Sequence, residues 1–146
     1  MRYVKSESGT KTLGQIGLIL PRQIKELRSY GLRGVRDAIF AAKSPSSDRV
    51  VAERVWLMGN RNSASRWLGK SKDDSVDLGF SQLAPAALGD ESWAATGQAN
   101  DSVVITHEFR LGNAVFVVSS YSAKEALSQP AARAAAVAAF ARARRV

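Results

Sequence analysis

Residues 88–121, LGDESWAATGQANDSVVITHEFRLGNAVFVVSSY, constrain the fold more than any other part of the chain. Two runs within them, 102–111 and 114–121, are rich in Val, Ile, Thr and Phe, whose branched and aromatic side chains suit a pleated surface. The pair between the runs is Gly112-Asn113. A two-residue Gly-Asn loop makes a tight hairpin, because Gly takes φ > 0 without steric cost. The register follows: Leu111 opposite Ala114, Phe109 opposite Phe116, His107 opposite Val118 and Ile105 opposite Ser120. Side chains alternate with period two, so these pairs share a face with Val103. The other face carries Val104, Thr106, Glu108 and Arg110 opposite Tyr121, Ser119, Val117 and Val115. The first face is apolar and the second mixed, which predicts one packed side and one partly wet side. Residues 92–98 extend the sheet through a loop at Ala99-Asn100-Asp101.

Earlier segments read as further pieces of the same sheet and its cover. Residues 1–12 are polar and expected to be a flexible lead-in; residues 13–146 are expected to form one α+β domain. Residues 13–20 are short and apolar. Pro21 suits the first turn of a helix carrying Ile24, Leu27 and Arg28 at helical spacing, with Gly31 as its stop. Residues 49–58 are read as a strand; residues 32–43, where Leu32, Val35 and Ile39 also fit a helix, are read as its hairpin partner across the turn cluster Ser44-Pro45-Ser46-Ser47-Asp48. Asn60, Asn62 and Ser63 offer N-caps to a short amphipathic helix with Ala64, Trp67 and Leu68 on one face, ending near Ser71. Residues 72–77 are expected to form a charged loop, 78–83 a short strand and 84–90 a linker. Ser122 and Glu125 have the spacing of a capping box. The last helix is expected from about Pro130 to Arg144, packing through Val137 and Phe140, with Arg133 and Arg144 at the edges of that contact. The predicted class is α+β, an antiparallel sheet packed on one face by helices in the order β-β-α-β-β-β-β-α, a two-layer sandwich.

At 146 residues the chain buries roughly 68–70% of its unfolded surface, so it needs no disulfide or metal to fold. It has no cysteine, which removes disulfides and thiolate metal sites. No segment approaches the ~20 apolar residues of a membrane span, and no signal peptide is visible at Met1. The net charge of +8 is uneven: residues 1–73 hold 15 Lys/Arg against 6 Asp/Glu, and residues 74–146 hold 6 against 7. A basic half of this kind favours an anionic polymer or lipid surface. Nucleic acid is the less favoured partner, because no run of five basic residues occurs.

The candidate chemistry is sparse. His107 is the only histidine, so no two-histidine metal site exists and any Ser-His-Asp triad would require it. Its alternation places it on the apolar face beside Val118, as a buried, neutral residue. Asp90 and Glu91 are adjacent on an extended strand and point to opposite faces, so they do not converge on one substrate. The glycines at 31 and 34 lack the spacing of a nucleotide fingerprint. Ser63 and Ser65 have no base nearby in sequence. Trp56 and Trp67 read as core. Trp93, Glu108 and Arg110 remain as ligand-binding candidates. No catalytic residue, metal site or cofactor is assigned.

Four pieces, VWLMGNRNSASRWL, LGDESWA, FRLGNAVFVV and the terminal FARARRV, resemble small extracytoplasmic domains of actinobacterial and other Gram-positive lipoprotein-like proteins with no assigned activity. The resemblance covers about two-thirds of the chain, from near Tyr30 onward, and extends in shape to PsbP-like sandwiches. It contains no invariant catalytic residue. It implies a non-enzymatic domain that binds a protein or small ligand at the cell envelope, if a leader was removed. The lipobox cysteine of such proteins is absent. The alternative is a basic cytoplasmic module that binds nucleic acid or another polyanion.

Overall fold

The computed structural model describes residues 1–3, 9–11, 24–43 and 46–145. The apolar stretch 13–20, Pro21, Ser44 and Pro45 lie outside them. Within these residues the elements are β1 (Arg2–Tyr3), β2 (Gly9–Lys11), α1 (Ile24–Ser29), β3 (Leu32–Ala41), β4 (Val50–Met58), α2 (Arg61–Asp77), β5 (Ser81–Leu83), β6 (Glu91–Ala99), β7 (Ser102–Leu111), β8 (Ala114–Ser122) and α3 (Gln129–Ala143). The α+β class, the antiparallel sheet and the order from β3 to α3 are those the sequence implies. One sheet runs β1-β3-β4-β8-β7-β6-β5, with β2 also on β3, and every pairing is antiparallel.

The central hairpin pairs Leu111 with Ala114, Phe109 with Phe116, His107 with Val118 and Ile105 with Ser120. Gly112 takes φ 62 and Asn113 stays at negative φ, the pattern of a type II′ turn. Residues 32–41 form a strand, paired with β4 after a bulge between Leu32 and Gly34. The N-terminal segment, expected to be a flexible lead-in, contributes β1 and β2 along the outer side of β3.

The helices divide between the two faces of the sheet, which corrects the expectation of a single helical layer. Glu108 and Phe109 are neighbours on β7 and point to opposite sides. α2 lies over the Glu108 side, where Trp56, Met58, Ala64, Leu68, Trp93 and Val115 pack with Leu27 and Leu32. α3 lies over the Phe109 side, where Val51, Leu88, Phe109 and Val118 pack with Ala136 and Ala139. The reason is that the mixed face is itself a core face. Val115, Trp93 and Trp56 outweigh its few polar positions, so both sides of the sheet need cover.

α2 starts where the Asn60 side chain accepts from the Ser63 N–H at 2.8 Å. It continues to Asp77, through residues expected to form a loop. Lys70 explains part of the extension: it pairs with Asp74 one turn on, at 2.8 Å, and with Glu26 of α1 at 3.1 Å. Trp67 meets both Trp56 and Tyr30 edge-on, with centroids 5.2 and 5.4 Å apart.

The Ser122–Glu125 capping box does not open a helix. Ser122 Oγ accepts the Glu125 N–H at 2.9 Å but donates to Asp48 at 2.6 Å, and Asp48 also takes the N–H groups of Ala123 and Lys124. The chain is thereby pinned to the β3–β4 loop. α3 begins six residues later, where Ser128 caps it and Pro130 fills the first turn. Its buried residues are Ala132, Ala136 and Ala139, while Val137 is 44% exposed. Val137 therefore does not face the sheet as the helical wheel suggested. Three alanines let the helix backbone come close, and Phe140 alone reaches the Phe109 ring, edge-on at 5.6 Å.

Candidate functional site

The three residues singled out from sequence come together beneath α2. Trp93 lies directly across from Glu108, and Arg110 is two positions along the same face. Trp93 and Glu108 are each 4% exposed. Ser71 of α2 donates to Glu108 Oε1 at 2.9 Å. The Trp93 indole N–H lies close enough to favour the carboxylate form, yet neither it nor Glu108 Oε2 closes a hydrogen bond of good geometry. Burial outweighs both polar neighbours and pushes the Glu108 carboxyl up to about 7.

Arg110 is held by three acceptors. Nε donates to Glu91 at 2.9 Å, and Nη1 donates to Asp90 at 3.0 Å and to the Gly112 carbonyl at 2.8 Å. Ser65 of α2 donates to the other Glu91 oxygen at 2.9 Å. Asp90 and Glu91 thus converge after all, on a guanidinium of their own chain. This arrangement ties α2, the entry to β6 and the hairpin turn together. Arg110 is mostly covered, while the Asp90 and Glu91 carboxylates that hold it keep contact with solvent.

His107 lies on the opposite face, under α3. It is buried, and its Nδ1 has no hydrogen-bond partner. Burial lowers its pKa, and the positive charge of Arg133 on α3 lowers it further. Its neutral form is the one this environment accepts. Among the described residues no three His, Cys, Asp or Glu side chains are arranged to hold a metal.

An open groove lies on the same face, between α3 and the β3–β4 half of the sheet. Its volume is about 350 Å³. Phe40 and Val51, paired across β3 and β4, form the floor, and Ala131, Ala135 and Ala138 form the helical wall. With Ala134, which also lines the groove, one side of α3 carries four alanines and then the cation Arg142. Arg142 lies over the Phe40 ring and is ion-paired with Glu53. Burial raises the Glu53 carboxyl, opposed by Arg142. Arg49 flanks the start of β4 at the rim. Sequence reasoning missed this groove. The signal available was the 4-3-4 spacing of residues 131, 135, 138 and 142 in a helix otherwise rich in alanine, but its meaning depends on where β3 and β4 lie.

No protein-family model matches the chain, and no curated protein matches it. Among solved structures, the extracellular domain of PknH from Mycobacterium tuberculosis is similar in fold, with a TM-score of 0.53 and 9% identity. The likeness covers 97% of this chain and 86% of that one. At that identity the likeness is one of fold alone. No helix among the described residues is long and apolar enough to cross a membrane.

Proposed function

We propose that this chain is a non-enzymatic ligand- or partner-binding domain of the bacterial cell envelope. The observation that carries the reading is the groove beside α3: it is an open concave surface with an apolar floor, and charged side chains line it. The fold shared with an extracellular domain supports the placement at the envelope. The titratable groups that could serve chemistry support the non-enzymatic part. Glu108 is covered by α2, and His107 is buried under α3 with its Nδ1 unpartnered among the described residues.

The test is a titration of the chain, followed by amide chemical shifts, with muropeptides, anionic phospholipid vesicles, single-chain fatty acids and heparin at physiological salt. Saturable shifts around α3 and β4 are expected. A chain that binds none of the four refutes the reading, and so does a turnover that His107→Gln abolishes without unfolding.

The excess of basic residues in the first half favours a second reading, a polyanion-binding module in the cytoplasm. Retention on heparin or DNA that falls steeply with salt, as counterion release requires, would place it ahead.

A further inference from the structure

The groove has a chemistry that selects among occupants. β4 is paired on both sides, to β3 and β8. The α3 backbone is bonded within its own helix. The groove therefore presents no free row of main-chain donors and acceptors. An extended peptide laid in it would bury amide groups without partners, which is costly, whereas a hydrocarbon chain has none to satisfy.

Its length along α3, from Ala131 to Arg142, is about 16 Å at 1.5 Å per residue. A volume of about 350 Å³ is at the small end for ligand pockets and suits one chain rather than two. Of its charged groups, Arg142 and Glu53 neutralise each other. None of the ion pairs among the described residues includes Arg49. Arg49, at the start of β4, offers a cation to one anionic head. A polyanion would need several such cations along the path.

We infer that the groove binds a single-chain fatty acid, with its acyl chain between α3 and the Phe40–Val51 floor and its carboxylate against Arg49. The inference rests on the binding-domain reading above. Phe40 and Val51 supply the apolar contact, and Ala131, Ala135 and Ala138 leave room that larger side chains would fill.

Dodecanoate, dodecyltrimethylammonium and dodecyl maltoside share a tail and differ in head, so they separate the two contributions. Below their micelle concentrations, dodecanoate is expected to bind at least tenfold more tightly than either of the others, with amide shifts at Val51, Ala135 and Ala138. Arg49→Glu should remove that preference or turn it toward the cationic head. Ala138→Trp, at an exposed position that tolerates bulk, should weaken dodecanoate at least tenfold with the fold unchanged by circular dichroism. Equal binding of all three heads, or binding that survives Ala138→Trp, would overturn the inference. So would phosphatidylglycerol vesicles binding where dodecanoate does not, since the site would then be a membrane surface. If muropeptides bind while dodecanoate fails, the fatty-acid inference falls and the binding-domain reading stands. If nothing binds, both fall.

Discussion

The rings of Phe109 and Phe116 stack across the central hairpin, 4.9 Å apart and 5° from parallel, and Phe140 of α3 closes on Phe109 from its edge. Phe109 is fully buried and Phe116 only partly so. This trio is where the last helix engages the sheet through aromatic surface.

Phe109→Ala should therefore destabilise the fold by about 3–5 kcal/mol, the usual range for a buried phenylalanine. Phe116→Ala should cost about half as much, because its ring keeps solvent contact. The double variant should reveal a coupling of about 0.5–1.5 kcal/mol, as for other aromatic pairs. Urea denaturation measures all three. Equal single-variant losses, or no coupling, would argue against the stacked arrangement.

Glu108 makes stability depend on pH. Its folded pKa, about 7, lies above the ordinary 4.5 of an unfolded carboxyl. The fold therefore prefers the protonated form. Stability is full below about pH 4.5, declines as pH rises toward 7, and is level above it, with a loss on the order of 3 kcal/mol. Glu108→Gln keeps the shape and stays neutral. It should flatten the melting curve's pH dependence across this window and raise Tm at pH 8. A parental Tm that does not change between pH 5 and 8 contradicts the buried, weakly partnered carboxyl.

Gly89 and Gly79 both take positive φ, 66 and 88, but in different surroundings. A Cβ on Gly89 would lie 2.1 Å from the Arg110 carbonyl oxygen, whereas one on Gly79 would meet nothing within 4 Å. Gly79→Ala should cost about 1 kcal/mol of backbone strain alone. Gly89→Ala should cost clearly more, because the Asp90 N–H to Arg110 carbonyl bond beside it must also move. Comparable losses at the two positions would show that the backbone contact at Gly89 relaxes easily.

Removing α3 by truncation after Ser128 uncovers Val51, Phe109 and Val118 together. The shortened chain should bind a hydrophobic dye and self-associate, because a contiguous apolar patch is left exposed. A monomeric product with an unchanged Tm would mean that α3 is an appendage.

The hairpin was legible in the residues because its determinants are local. Gly112 sets the turn, period-two alternation sets the faces, and a one-residue slip would move every side chain to the other side. The strand at residues 32–41 was less legible, because Leu32, Val35 and Ile39 also fit a helix, and only the turn cluster and strand that follow favoured a hairpin. The same residues also implied that His107 is buried beside Val118. What alternation does not contain is which face receives cover. Thr106, Glu108 and Arg110 read as a wet surface, but Trp56, Trp93 and Val115 arrive on the same side from strands distant in sequence, and α2 closes over them. Alternation places Glu108 and Arg110 on one face, but it is the pairing of β6 with β7 that brings Trp93 opposite Glu108, and tertiary packing that supplies Ser71, Asp90 and Glu91 as polar partners.

α3 shows the limit most sharply. A helix of alanines has almost no preferred side, so Val137 and Phe140 appeared to choose its orientation. In the folded protein, close backbone approach through Ala132, Ala136 and Ala139 fixes it, and Val137 is turned outward. The groove beside it exists only because β3 and β4 extend the sheet beyond the width one helix can cover. Such a site is made of surfaces brought together by the whole sheet, and no local sequence pattern encodes it.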